Sequence, residues 1–144
     1  MCSMNKNLRD QIKEKADNCC SVCGQWCGST GSPHHVVKLS EEHLLINCEM
    51  NIWWLCSRCH AKTETKPGYN KELQITLQEY YRERFKGTKF YTANSIQKIV
   101  NIPLVSLYKA MEKDILKNHF GKCHGNDVVR FLMGGKEVSI YERR

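Results

Sequence analysis

The sequence lacks long apolar runs, internal repeats and low-complexity tracts. No stretch approaches the ~20 consecutive apolar residues that a membrane-spanning helix needs. The first residues, MCSMNKNLRDQIKEK, also lack the apolar core of a secretory signal. We therefore expect an intracellular, cytoplasmic protein with no membrane partner.

The chain has 144 residues, of which 41% are apolar, enough for one ordinary domain or two small ones. Its nine cysteines would suggest disulfides in a secreted protein, but nothing in the sequence directs the chain out of a reducing compartment. An odd number of cysteines also argues against complete pairing. Metal ligation is therefore the expected use of the cysteines.

The net charge of +7 is concentrated in the second half of the chain. Residues 69–144 hold 14 of the 22 basic side chains and 8 of the 15 acidic ones. Such a surplus serves solubility in many proteins, and it also suits a polyanionic partner. The second half is thus where contact with nucleic acid is expected.

The local patterns predict several elements. Leu8, Ile12 and Ala16 form one apolar stripe of a short first helix. A short strand is expected at residues 35–37, a helical turn capped by Ser40 in 40–51, and a second strand at IWWL. A helix from Ser57 should end at Pro67, and another helix should span 70–86.

Two pairs of cysteines have the spacing of zinc knuckles. A two-residue gap lets both sulfurs of a pair reach one tetrahedral ion. The pairs are Cys20 with Cys23, and Cys56 with Cys59. Cys19 and Cys27 lie close enough in sequence to compete for the same ion. The chain is thus predicted to hold one structural zinc ion.

The first half of the chain resembles the HNH endonuclease family. The matching segments are CSVCG (20–24), HH (34–35), Asn51 and LCSRCH (55–60), within residues 8–65. The resemblance implies an α+β fold, with a ββα-metal unit framed by a four-cysteine zinc site made of Cys20, Cys23, Cys56 and Cys59. It also implies a metal-dependent DNA endonuclease.

The resemblance assigns a role to each polar residue of this unit. His35 would be the general base that deprotonates water, and Asn51 would orient it. His34 and His60 would hold a catalytic divalent ion such as Mg²⁺ or Mn²⁺. A neutral imidazole titrating near pH 6.5 suits a general base at physiological pH. Asn47 is an alternative to Asn51, and a role for Glu64 at the metal is left open.

Residues 92–113 have the pattern of a helix-turn-helix, with a turn at Asn101 and a second helix beginning at Pro103. Val105, Tyr108 and Met111 are predicted to face inward. Three residues are then expected to face DNA: Ser106, Lys109 and Lys113. The following segment resembles excisionase-like or MerR-like domains, with a short wing before a closing helix capped by Asn126 or Asp127.

Together these patterns predict an α+β protein of three parts. Residues 1–68 would form the zinc-framed nuclease domain, 69–90 a connecting helix, and 91–144 a mostly helical helix-turn-helix domain. The expected partner is double-stranded DNA, and the function is that of a phage or mobile-element (homing-type) endonuclease. The alternatives are a non-catalytic, zinc-stabilised DNA-binding regulator, a plain helical packing domain in place of the helix-turn-helix, or RNA as substrate. RNA is disfavoured because its deep, narrow major groove does not admit a helix.

Overall fold

The computed structural model describes residues 6–139 and has the predicted α+β composition. Over that range, six helices accompany two separate two-stranded antiparallel sheets, β1–β2 and β3–β4. In chain order the elements are α1 (Lys6–Lys15), β1 (Ser32–His35), β2 (Ile52–Leu55), α2 (Ser57–Thr65), α3 (Pro67–Arg84), β3 (Phe90–Thr92), α4 (Ala93–Val100), α5 (Leu104–Glu112), β4 (Lys122–His124) and α6 (Gly125–Leu132). Short 3-10 turns cover Gly28–Thr30, His43–Leu45 and Glu49–Asn51.

The strands β1 and β2 lead directly into α2. They pair with His34 opposite Trp53 and His35 opposite Ile52. The strand at β2 and the helix start at Ser57 confirm the sequence predictions. The predicted first strand is displaced, because β1 ends at His35 and does not include residues 36–37. The predicted cap at Ser40 is also wrong, since Glu42 accepts from the backbone N–H of Leu44.

The longest helix, α3, begins three residues earlier than predicted. Pro67 occupies its first turn, where the missing N–H removes no helical hydrogen bond. The same residue ends α2, so α2 and α3 follow one another with Lys66 between them. Three polar residues on the buried face of α3 make hydrogen bonds to other segments: Asn70, Gln74 and Gln78.

Two groups of buried apolar side chains stabilise the chain. The larger joins α3, α4, α5 and α6 to Val36, Val37, Leu45 and Cys48. The smaller packs Ile12 of α1 against β2 and four cysteines: Cys20, Cys27, Cys56 and Cys59. Side chains from both sides of the predicted domain boundary near residue 90 therefore share the larger core. The division into domains stays a prediction.

The helices α4 and α5 are joined by a three-residue turn. Asn101 adopts the left-handed conformation with φ of 51°, which asparagine tolerates better than most residues. The predicted inward face of α5 is wrong for Val105 and Tyr108, which are more than half exposed. Met111 does pack against the larger core, beside the fully buried Leu107 and Ala110.

The second sheet is formed by strands that precede α4 and follow α5 in the chain. β3 pairs with β4, and a tight turn at Phe120 and Gly121 precedes β4. The predicted cap of the closing helix is wrong, because α6 begins at Gly125 after His124, without a side-chain cap. Over residues 6–139 every helix falls short of the length and apolar character that a membrane crossing requires.

Candidate functional site

The four knuckle cysteines converge on one point. Cys20, Cys23, Cys56 and Cys59 have all their sulfur atoms within 4.8 Å of one another, and the sulfurs of Cys23 and Cys56 are 3.8 Å apart. A tetrahedral zinc ion with Zn–S bonds of about 2.3 Å requires sulfur separations of about 3.8 Å. The donor set therefore fits a structural metal ion of the zinc type.

The local backbone favours ionised sulfur at this site. Burial opposes ionisation of Cys20, but N–H groups of Cys23, Cys56 and Val22 outweigh it and lower the pKa of Cys20 to about 6. The N–H of Cys59 at the start of α2 lowers the pKa of Cys56. Burial and the neighbouring cysteines raise the pKa of Cys59 to about 12, so the four sulfurs do not ionise alike without a metal. The thiolate is the form that binds zinc.

The two competing cysteines stand outside this group. The thiol of Cys19 donates to the backbone oxygen of Asp17 at 3.3 Å. Cys27 is buried, and burial raises its pKa, so it stays a neutral thiol. The ligand set is therefore the one that the Cys-x2-Cys spacing predicts.

His34 and His60 come together beside the cysteine site. Their ring centroids are 5.3 Å apart, with the rings nearly perpendicular. Two imidazoles that share one ion, with metal–nitrogen bonds of about 2.1 Å, have centroids separated by about 4.5–5.5 Å. The pair therefore has the spacing that a shared divalent ion would need.

Asn70 of α3 fixes the orientation of His34. The Nδ2 of Asn70 donates to the backbone oxygen of Val36 at 3.1 Å, so its Oδ1 faces the His34 ring. Nε2 of His34 lies 2.8 Å from that oxygen and must carry the proton, which leaves Nδ1 as the unprotonated nitrogen. Burial lowers the pKa of His34, so the ring is neutral near pH 7. A neutral imidazole with one free nitrogen is the form that binds a metal.

His35 is held by a different group. Its Nε2 lies 2.9 Å from the backbone oxygen of Ile46, which can only accept, so Nε2 carries the proton. Nδ1 is then the basic nitrogen. The ring is half-buried, so it retains access to solvent.

Asn51 does not contact the ring of His35; its side chain binds the backbone two residues further along, so any orienting effect on His35 would be indirect. The Oδ1 of Asn51 accepts from the N–H of Val37 at 2.8 Å, and its Nδ2 donates to the oxygen of Val37 at 3.1 Å. The side chain is fully buried. Asn51 thus joins the end of β1 to the start of β2, and it is a positioning residue, not one that touches substrate.

A cleft of about 410 Å³ lies beside Asn70, the hydrogen-bond partner of His34. Asn70 lines it, together with three lysines and three glutamates: Lys38, Lys71, Lys136, Glu41, Glu64 and Glu137. Lys136 is paired with Glu41 at 3.0 Å. Within residues 6–139, the four cysteines are the one group of three or more possible metal ligands that converges closely, and His34 and His60 belong to no such group. Their role as ligands of a catalytic ion stays a prediction.

The residues expected to face DNA lie on α5 and at its end. Lys109 and Lys113 are exposed, and Ser106 is half-buried. Val105 and Tyr108 share the exposed surface of the helix with Lys109. The predicted polar residues are therefore accessible, and two apolar side chains join them.

Sequence reasoning missed Asn70, the carbonyl of Ile46 and Tyr69. The hydroxyl of Tyr69 interacts with the sulfur of Cys59, and burial raises the pKa of Tyr69. One signal was available: polar residues recur every four positions at 70, 74 and 78, beside the apolar stripe of α3.

No family model, curated protein or solved structure matches the chain.

Proposed function

We propose that this protein is a metal-dependent DNA endonuclease of the HNH type. The observation that carries the proposal is the arrangement of His34 and His60, 5.3 Å apart, next to a four-cysteine site that joins the ends of the same β1–β2–α2 unit. A binding fold needs the cysteines alone. A pair of imidazoles beside them is what hydrolytic metal chemistry needs in addition.

The proposed reaction assigns a separate task to each histidine. His35, with Nδ1 unprotonated, takes the proton from a water molecule that attacks the phosphodiester. His34 and His60 would hold a divalent ion, which would supply Lewis-acid stabilisation of the negative charge that develops as the bond between phosphorus and the leaving oxygen breaks. Lys38, which is exposed and lines the adjacent cleft, suits a neighbouring phosphate of the strand.

The second part of the proposal concerns α5. Its exposed face carries Lys109 with Tyr108 and Val105, and Lys113 follows at its end. In a helix-turn-helix the second helix lies in the major groove, where such side chains read base edges and contact phosphates. We therefore propose double-stranded DNA as the substrate and α5 as the element that selects the site. A phage or mobile-element (homing-type) role would follow from such selection.

A non-catalytic, zinc-held DNA-binding regulator is the competing function. It is favoured by one observation, the 7% exposed fraction of His34, which leaves the ring little access to a ligand. Both functions predict salt-sensitive DNA binding, so binding assays do not separate them. Cleavage does.

The test is relaxation of supercoiled plasmid by purified protein with Mg²⁺ or Mn²⁺. We expect wild type to nick or cut the plasmid and His35→Ala to lose about 10²–10⁴-fold in rate, the usual contribution of a general base. His43→Ala, a change at an exposed histidine, is the matched control and should cut normally. Intact plasmid with wild type across several divalent metals would favour the regulator.

A further inference from the structure

Phe120 occupies a backbone position that phenylalanine rarely adopts. Within residues 6–139, the other non-glycine residues with positive φ are all Asp or Asn, whose short side chains suit that region: Asp17, Asn18, Asn101 and Asp114. Phe120 has φ of 54° and is followed by Gly121 with φ of 82°. Both N–H···O bonds between His119 and Lys122 close the turn, at 2.7 and 3.2 Å. This is a type I′ hairpin turn, in which Asn-Gly is the strongly preferred pair.

Packing does not explain the phenylalanine. Its exposed fraction is 106%, so the whole ring projects into solvent. A strained and fully exposed aromatic side chain costs stability and contributes nothing to the core. The conformation is nonetheless held by the two turn hydrogen bonds. Such an outlier points to a ligand that the ring contacts.

Further aromatic side chains lie at the base of the same hairpin. The ring of Phe90 lies 4.1 Å from that of His124 and 6.4 Å from that of His119, measured between centroids. Phe90 is half exposed. The turn at Phe120 thus forms the tip of a small aromatic projection.

The charge around this projection indicates the kind of ligand. The chain from α5 through the turn carries four exposed lysines: Lys109, Lys113, Lys117 and Lys122. Two exposed acidic residues, Glu112 and Asp114, lie among them. An apolar wedge on a hairpin with a basic surplus suits a polyanion that also offers apolar faces, and stacked bases in a nucleic acid are such a partner.

We infer that Phe120 is a wedge that inserts between base pairs of duplex DNA. Apolar side chains that partly unstack a base step kink the duplex and let it contact more of the protein. The hairpin follows α5 in the chain, and we take the wedge to act on the same DNA as the one proposed for α5. The inference rests on the proposed function, because it requires duplex DNA as the partner.

The substitution Phe120→Asn separates a ligand role from a structural one. It places the preferred Asn-Gly pair in the turn, so the melting temperature should rise by about 3 °C. Affinity for DNA should fall by about tenfold, because the stacking contact is lost. Phe120→Trp keeps a stacking ring and should bind as wild type does.

Unstacking is measured directly with 2-aminopurine. The probe is a short duplex with this base at TpA steps, which unstack easily, and the full-length zinc-loaded protein is added without Mg²⁺ or Mn²⁺. We expect wild type and Phe120→Trp to raise the fluorescence and Phe120→Asn to leave it unchanged.

Three results would overturn the inference. One is a lower melting temperature for Phe120→Asn, which would show that the ring supports the fold. The second is that this variant binds and unstacks the duplex as well as wild type does. The third is weak binding by the variant while wild type itself gives no fluorescence change. None of these results bears on plasmid cleavage by the wild-type protein, so the proposed function would stand. A wild-type protein that neither binds nor cuts DNA would overturn both the inference and the proposed function.

Discussion

Asn70 determines which nitrogen of His34 is free. The Nδ2 of Asn70 is committed to the oxygen of Val36, so its Oδ1 holds the Nε2 proton of His34. Without this amide the ring could rotate or change tautomer, and Nδ1 would no longer be held in place. Metal-binding histidines commonly depend on such a partner for both properties.

The substitution Asn70→Leu tests this role. Cleavage should fall by about 10–100-fold, the usual effect of losing a partner of a metal-binding histidine. The free energy of unfolding should fall by about 1–3 kcal/mol, because the Val36 oxygen and His34 Nε2 lose a buried partner. Cleavage rates, denaturant unfolding and bound zinc are the measurements.

Glu72→Gln, at an exposed position of the same helix, is the control and should change none of these quantities. Equal cleavage by Asn70→Leu and wild type would contradict the role of Asn70. Zinc content should stay at the wild-type level in both variants, since the cysteine site does not include Asn70.

The two asparagines show what the sequence could predict at this scale. The ligand cysteines follow from local spacing, since a two-residue gap alone brings two sulfurs together. Asn51 was predicted from its place in a motif to orient His35; it lies close by, but its side chain binds the backbone of Val37. Asn70 lies 36 residues from His34, and only the packing of α3 against β1 brings them together. No local pattern encodes that contact.

At the scale of elements, α5 has two faces that the sequence does not distinguish. Leu104, Leu107 and Ala110 form one apolar stripe, and Val105 with Tyr108 forms another. Both have helical spacing, and the prediction chose the second. The structure buries the first, because it packs against the larger core. The turn at Asn101 was predictable, since its left-handed conformation is a property of the residue itself.

The exposed face of α5 makes a prediction about DNA binding. Lys109→Ala should weaken binding and lower the slope of log K against log salt by about 0.9, the release expected for one phosphate contact. The stability of the protein should not change, because Lys109 is exposed. Fluorescence anisotropy at several salt concentrations measures both affinity and slope.

Lys6→Ala removes an equal charge from exposed α1 and is the matched control. Its salt slope should equal that of wild type. Identical slopes for the Lys109 and Lys6 variants would mean that α5 does not contact the phosphates.

At the scale of the whole molecule, the metal site joins parts of the chain that have little apolar contact of their own. Cys23 and Cys56 are 33 residues apart, and the smaller core around them contains few large side chains. A structural zinc ion supplies folding free energy in such units. The larger core, which includes Cys123, contains none of the four cysteines of the metal site.

Metal removal should therefore affect the two parts differently. With zinc bound, iodoacetamide should spare Cys20, Cys23, Cys56 and Cys59, and a chelator should make all four reactive. Cys123 should stay protected in both cases, because it is fully buried and burial raises its pKa to about 11. Mass spectrometry of the labelled protein reports each site. Labelling of all four cysteines before chelation would contradict a metal at this site.

The overall organisation was predictable in part. The local patterns of helices and strands, with the family resemblance, were sufficient for the α+β class, and the Cys-x2-Cys spacing was sufficient for the cysteine group. They did not anticipate that α3 would share one core with Val36 and Val37, because that packing is a property of the assembled chain. The surplus of positive charge after residue 69 does not by itself show where on the surface the expected partner binds. That depends on which lysines are exposed.

The most direct test of the proposed nuclease is to sequence the DNA ends that the protein produces from a genomic pool with Mg²⁺ or Mn²⁺. We predict new ends that recur at a preferred sequence with wild type, and that disappear with His35→Ala although DNA binding remains. Ends no more frequent than in DNA incubated without protein, across several metals, would contradict the nuclease and leave a zinc-held DNA binder.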